Sequence, residues 1–141
     1  MDDDFVSAAL RHAEDAGLLL REGRDDNAGY LAGYAVECSW KTLISFCSGP
    51  APRSISHDLT TLTGRALELT SILFPGGQVL YRLDVDPAQA KAAWGWSPSW
   101  RYATTGTVGQ AQAKKLVQAA VDCSERIVHA LILDGTVAMP R

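Results

Sequence analysis

GYLAGYAVECSWKTLISF, residues 29–46, is the most apolar part of the chain, and a single acid and a single base interrupt it. At the helical period of about 100° per residue, four of its residues share one narrow side. These are Tyr30, Tyr34, Glu37 and Lys41, which we call the polar stripe. The acid precedes the base by four residues, the orientation that stabilises a helix. The run therefore predicts a helix from about Asn27 to Cys47 that is buried on most sides.

Two interpretations of the polar stripe stay open at this point. It is either the partly exposed edge of a core helix, or a site in which Glu37 is semi-buried and tied to a cation, because a lone buried carboxylate is costly. Lys41 and Arg101 are the two candidate cations. Gly29 and Gly33 weaken the helix by about 1 kcal/mol each relative to alanine, which suggests that a neighbouring backbone comes close.

Length and composition limit the class of protein. A chain of 141 residues with 47% apolar residues suits one domain. Its net charge of −3 argues against bulk attraction to nucleic acid, so any such contact needs a local patch. Three cysteines without a close pair predict neither a disulfide framework nor a zinc knuckle, and the sequence predicts no cofactor. The acidic amino terminus and the lack of a long apolar run predict a soluble, cytoplasmic protein with no membrane contact.

The hydrophobic periodicity predicts an all-α protein. Helices are expected over residues 4–22, 27–47, 59–73 and 108–133, with a short helix over 88–93 and an aromatic loop, WGWSPSWRY, over 94–102. Gly23 is placed to end the first helix, and Asp58 to cap the third. Short connections between most helices predict an up-and-down four-helix bundle.

Several of these segments together resemble HEPN-domain proteins. The second helix resembles that family through residues 27–38, followed by Lys41 and 43–44. His57-Asp58-Leu59 resembles the element that opens the family's third helix, and Trp100-Arg101-Tyr102 resembles the segment before its last helix. The resemblance covers nearly the whole chain.

The resemblance implies a helical bundle built from two hairpins, usually a homodimer. HEPN proteins often act in toxin–antitoxin or defence systems, frequently beside a small nucleotidyltransferase partner. Many are metal-independent ribonucleases with an arginine, four to six intervening residues and a histidine. Here Arg11 and His12 are adjacent, Arg53 and His57 have three residues between them, and Arg126 and His129 have two. The chain therefore departs from the ribonuclease motif, as the family's non-catalytic members do.

The leading hypothesis is a binding or partner module for a nucleotide, nucleic acid or a nucleotidyltransferase-type protein. Its candidate ligand-binding residues are Tyr34, Glu37, Lys41, His57, Asp58, Trp100, Arg101 and Tyr102. The aromatic residues offer a stacking surface with Arg101 on a phosphate, or they simply cover the open end of the bundle. His57 is either an acid–base or nucleotide contact, or part of a helix cap together with Asp58.

Two alternatives stay beside this hypothesis. The first is a ribonuclease with a divergent site, for which Arg53, His57 and Arg101 are the catalytic candidates, since RNA cleavage needs a histidine and a cation. The second is a structural interaction domain whose aromatic loop docks a partner. No glycine-rich phosphate loop and no metal-ligand pattern is visible in the sequence.

Overall fold

A computed structural model describes residues 3–48, 57–73 and 95–133, and all regular secondary structure in these ranges is helical. The elements are α1 (Phe5–Arg21), α2 (Asp25–Ser48), α3 (Leu59–Leu73), a 3₁₀ turn (Pro98–Tyr102), α4 (Gln110–Cys123), a π-helical segment (Ser124–His129) and α5 (Ala130–Leu133). Because the last three follow one another without a break, we call them together the last helix. The predicted four-helix bundle is confirmed.

The first helix begins and ends where the sequence predicts. Asp4 caps α1 by accepting hydrogen bonds from the backbone N–H and the hydroxyl of Ser7, at 2.9 and 2.6 Å. At the other end Gly23 has φ = 74°, a left-handed conformation that side chains rarely adopt. This turn leaves only three residues between α1 and α2, so the two helices form an antiparallel hairpin.

The second helix is the centre of the bundle. It starts at Asp25, two residues before the predicted start, because two acids in the first turn suit the helix dipole. It contacts α1, α3, α4 and the 3₁₀ turn. Its core side chains include Val36, Trp40 and Leu43, each 2% exposed or less. Burying each large side chain of this kind contributes roughly 1.5–3 kcal/mol before entropy is subtracted.

The aromatic segment that was predicted as a loop carries the 3₁₀ turn and is anchored on α2. Trp96 is buried, and its indole Nε1–H donates to the backbone carbonyl of Tyr30 at 3.0 Å. The ring occupies the space that a side chain at Gly33 would fill. Gly29 allows a similar approach, since a Cβ there would lie 3.1 Å from Val108. The neighbours that come close at these two glycines are side chains, so the expectation of a neighbouring backbone is wrong.

Two further hydrogen bonds, which we call the Asp26 tie, join the segment before the last helix to the start of α2. The carboxylate of Asp26 accepts the backbone N–H of Gly106 at 2.8 Å and that of Val108 at 2.9 Å. These two hydrogen bonds lower the pKa of Asp26 below its usual value. The residues between the 3₁₀ turn and α4 are thereby held beside the first turn of α2.

The last helix starts at Gln110, two residues later than predicted, and is not α-helical throughout. Its π-helical segment begins at Ser124, whose hydroxyl donates to the carbonyl of Val121 at 2.9 Å. The predicted short helix over 88–93 lies outside the described residues, as do Arg53 and Trp94. In the described ranges no helix has both the length and the apolarity to span a bilayer.

Candidate functional site

The charged pair of the polar stripe is buried. Glu37 is 3% exposed and Lys41 is 2% exposed, and Lys41 Nζ lies 3.7 Å from Glu37 Oε1. The same ammonium lies 5.5 Å above the ring of Phe5 from α1, within the range of a cation–π contact. The interpretation of the polar stripe as a partly exposed edge is therefore wrong at this end of it. One turn of α2 places two opposite charges inside the bundle.

A third residue completes the buried pair from another part of the chain. His57, just before α3, places its ring Nδ1 2.5 Å from Glu37 Oε1. The histidine side chain is 52% exposed, whereas the carboxylate is almost wholly buried. An ionised carboxylate only accepts hydrogen bonds, so Nδ1 is the ring nitrogen that donates to Glu37, which leaves Nε2 outside this bond. The arrangement fixes both the orientation and the tautomer of an exposed imidazole.

Asp58 positions His57 by starting α3. Its carboxylate accepts from the backbone N–H of Thr60 at 3.1 Å and from the hydroxyl of Thr61 at 2.8 Å, as an N-cap does. Asp58 therefore acts as the cap that the sequence predicts. His57, which the cap interpretation included, bonds Glu37 instead.

Arg101 meets the polar stripe one turn away, at Tyr34. Its Nη2 donates to the phenol oxygen of Tyr34 at 3.2 Å, and its Nε donates to the carbonyl of Pro98 at 3.2 Å. Tyr30 also donates to the Tyr34 oxygen, at 3.4 Å. Since that oxygen accepts two hydrogen bonds, the hydrogen of the Tyr34 hydroxyl is left for a further acceptor.

The surroundings of Tyr34 and Arg101 set their charges. Burial raises the pKa of Tyr34 to about 12, so the phenol stays neutral. The neighbouring phenols of Tyr30 and Tyr34 raise the pKa of Arg101 above its usual value. Arg101 is therefore a fixed cation beside a neutral donor.

Two residues that the sequence did not assign to the site hold Tyr34 in place. Trp96 meets its ring edge-on, with ring centroids 4.8 Å apart, and His12 of α1 lies 5.9 Å away on a tilted ring. Burial lowers the pKa of His12, and the charge of Arg11 lowers it further. In the sequence, the packing of Trp96 against Gly33 was indicated only by a glycine in the middle of an apolar helix.

The far end of the 3₁₀ turn is open to solvent. Tyr102 is 83% exposed, and the guanidinium of Arg101 lies 5.6 Å from the centre of its ring. Trp100 is half-buried, and a Cβ at Gly29 would lie 3.6 Å from its ring. If these aromatic residues only covered the end of the bundle, the burial of Trp96 and the half-burial of Trp100 would be explained. The exposure of Tyr102 would not be.

The structure thus joins most of the sequence-predicted residues in two adjacent clusters on α2. One contains Glu37, Lys41 and His57, and the other contains Tyr34 and Arg101. The expectation that Arg101 is a partner of Glu37 is wrong, because its guanidinium bonds Tyr34. Tyr34 and Glu37 are three residues apart, so the clusters occupy neighbouring positions about 5–6 Å apart on the helix surface.

The described part of the chain offers little for other chemistry. No group of three or more metal-ligating side chains lies together in it. Burial raises the pKa of the Cys38 thiol to about 12 and also raises that of Cys123, so both stay protonated. His129 is exposed on the π-helical segment.

Comparison of the chain with protein-family models, curated proteins and solved structures gives no match in any of the three.

Proposed function

We propose that this chain is a HEPN-like binding module that takes a phosphate-bearing ligand, a nucleotide or single-stranded nucleic acid, on the surface formed by Tyr34, His57 and Arg101. The observation that carries the proposal is the way in which α2 holds two groups from distant parts of the chain. His57 is bonded to Glu37, and Arg101 is bonded to Tyr34 on the adjacent turn. Both groups remain exposed.

The chemistry of these groups suits a phosphate. A guanidinium gives strong charge-assisted hydrogen bonds to phosphate oxygens, and the Tyr34 hydroxyl has a hydrogen to donate. His57 adds a second group to this surface, since an imidazolium donates from both ring nitrogens. A chain with a net charge of −3 needs a local site of this kind to bind an anion at all.

The aromatic residues beside Arg101 suit the base of the same ligand. Tyr102 is exposed with a cation close to its ring, and Trp100 lies one residue to the other side of Arg101. Base–aromatic stacking contributes about 1–3 kcal/mol per base and tolerates different sequences. The HEPN resemblance supports the same proposal, and it adds a homodimer and a nucleotidyltransferase-type partner as expectations.

Titration with nucleoside monophosphates, followed by tryptophan fluorescence, tests the proposal. Trp96 packs against Tyr34 and Trp100 precedes Arg101 in the 3₁₀ turn, so binding is expected to change the emission in a saturable way. Arg101→Ala should weaken binding at least tenfold, because a lost charge-assisted hydrogen bond costs about 1.5–3 kcal/mol. His57→Ala should weaken it as well.

The matched controls are Arg65→Ala on α3 and His129→Ala on the last helix, both at exposed positions. They remove the same side chains from other surfaces and should leave the affinity unchanged. A flat fluorescence response together with no binding by calorimetry would contradict the proposal. Equal losses in the site variants and the controls would show a general charge effect instead.

A second candidate function, RNA cleavage, is favoured by the Glu37–His57 pair alone. With Nδ1 donating to a buried carboxylate, Nε2 of His57 is free to take the proton of a ribose 2′-hydroxyl. The 2′-oxygen then attacks the adjacent phosphorus to form a 2′,3′-cyclic phosphate, and the bond to the 5′-oxygen breaks as that oxygen takes a proton from water. Arg101 would stabilise the charge that develops on the phosphate oxygens.

Incubation of the purified protein with single-stranded RNA separates the two functions. Cleavage that His57→Ala abolishes and His129→Ala preserves would favour the enzyme. Nucleotide binding with intact RNA at high protein concentration would favour the binding module. The structural interaction domain is favoured if neither is seen while Tyr102→Ala releases a bound protein partner.

A further inference from the structure

A cleft of about 390 Å³ is lined by Arg101 but not by Tyr34 or His57. The first turn of α2 and the residue before it form one wall, with Arg24, Asp25 and Asn27. The 3₁₀ turn forms the other wall, with Trp100 and Arg101. Arg101 therefore belongs both to the phosphate surface and to this cleft.

The walls of the cleft are fixed independently of any ligand. Trp100 packs close to α2, since its ring lies 3.6 Å from the position that a Cβ at Gly29 would take. The opposite end is held by Asp26, whose two carboxylate oxygens accept the amides of Gly106 and Val108. A preformed cleft with one aromatic wall suits a flat ring better than a flexible chain.

The two neighbouring acids at the start of α2 differ in their hydrogen bonding. Both oxygens of Asp26 are satisfied by the chain itself. The carboxylate of Asp25, which lines the cleft, accepts no hydrogen bond from the described residues, and its Oδ1 is buried. Oδ1 is closed off from solvent, so a ligand in the cleft would donate to the other carboxylate oxygen of Asp25, which also accepts no hydrogen bond from the described residues.

The balance of charge indicates which part of a nucleotide enters. Two acids and two arginines line the cleft, so it attracts a phosphate less than the surface of His57 and Arg101 does. A neutral base suits it, stacked on Trp100, with its phosphate on the outer side of Arg101. A carboxylate accepts from an exocyclic amino group, as from N4 of cytosine, and repels a ring carbonyl oxygen.

We propose that this cleft is a base subsite that selects nucleotides whose base presents an amino group to Asp25. The inference rests on the proposed function, because it names the base that accompanies the phosphate. Cytosine and adenine fit this requirement, whereas uracil and hypoxanthine place a carbonyl oxygen at the corresponding ring position.

Two pairs of ligands test the subsite, since CMP and UMP, and likewise AMP and IMP, differ by an amino group against a carbonyl. Wild-type protein is expected to bind the amino member about tenfold more tightly in each pair, from the usual discrimination of one hydrogen-bonding contact. Asp25→Asn should remove or reverse the preference, because an amide also donates to a carbonyl. Glu14→Gln, which removes an exposed acid from α1, should preserve the preference.

The outcomes separate the subsite from the phosphate surface. Equal affinity for CMP and UMP, with both weakened by Arg101→Ala, overturns the subsite and supports the proposed function. A preference for amino bases that Asp25→Asn leaves intact also overturns the role of Asp25. If none of the four nucleotides binds, both proposals fail.

Discussion

Nδ1 of His57 lies 2.5 Å from Oε1 of Glu37, and the same carboxylate oxygen lies 3.7 Å from Nζ of Lys41. Glu37 therefore contacts two groups, the buried ammonium of Lys41 on its own helix and the exposed imidazole of His57. It stabilises the charge of Lys41 inside the bundle, and it orients the ring of His57 at the surface.

Replacing Glu37 by glutamine is expected to lower the free energy of unfolding by about 2–3 kcal/mol. The substitution keeps the shape of the side chain but leaves the buried Lys41 ammonium without this counter-charge, and breaking a buried pair is costly. Urea unfolding followed by circular dichroism measures the change.

His57→Ala is the comparison, and it should cost only about 1 kcal/mol, because it leaves the buried pair intact and removes a half-exposed side chain. An E37Q protein as stable as wild type would show that Glu37 contributes no net stability. The expected order of stability is wild type, then His57→Ala, then Glu37→Gln.

Gly33→Ala should destabilise the protein by about 1–3 kcal/mol, although alanine is the better helix former. The added methyl group would overlap the ring of Trp96, and overpacking a filled site forces the ring to move. A shift in tryptophan emission should accompany the loss of stability, because the ring of Trp96 would move from its buried position against α2.

Gly64→Ala on α3 is the matched control. A Cβ at Gly64 meets nothing within 4 Å, so this substitution should stabilise the protein by up to about 1 kcal/mol through helix propensity alone. Equal effects of the two substitutions on thermal unfolding would mean that Trp96 does not occupy the space beside Gly33.

The tie between Asp26 and the segment before α4 predicts an acid-dependent loss of stability. The hydrogen bonds from Gly106 and Val108 lower the pKa of Asp26 in the folded state. A lowered pKa gives stability that is present above the unfolded value of about 3.9 and is lost as pH falls through the folded value. Wild type should therefore exceed Asp26→Ala in melting temperature above pH 4.

That difference in melting temperature should shrink steadily below pH 4, as Asp26 becomes protonated. Asp122→Ala on α4 removes an acid that, within the described residues, accepts a hydrogen bond from the side chain of Gln118 on its own helix, so its curve should follow wild type more closely. A difference that stays constant from pH 2.5 to pH 6 would contradict the tie.

The raised pKa of Tyr34 leads us to expect a second loss of stability, at alkaline pH. Burial raises the pKa of Tyr34 to about 12 from an ordinary value near 10. A raised pKa gives stability that is complete below pH 10 and is lost as pH rises through 12. The ultraviolet difference titration between wild type and Tyr34→Phe should show one phenol ionising near pH 12; a midpoint near 10 would mean that Tyr34 is solvated.

Much of the fold could be predicted because the signals are local. The Asp4 cap, the left-handed Gly23 and the helical period of residues 29–46 each depend on a few neighbouring residues. Together these local signals were enough to predict the helical bundle, and the observed helix ends lie within two residues of the predicted ones.

The partners of the polar stripe could not be predicted in the same way. The sequence indicates that Glu37 needs a cation, and Lys41 was found because it is four residues away on the same helix. His57 and Arg101 come from 20 and 67 residues beyond their partners, so only the tertiary fold decides which of them reaches Glu37 and which reaches Tyr34.

The central claim is that His57 and Arg101, held on neighbouring turns of α2, bind one phosphate. Nuclear magnetic resonance of the imidazole signals during a CMP titration tests it most directly, with His57→Ala to assign the signal. We predict that the His57 signal moves in a saturable way, that the His129 signal does not, and that Arg101→Ala raises the Kd for the His57 shift at least tenfold. A His57 signal that stays in place at saturating CMP would contradict the account.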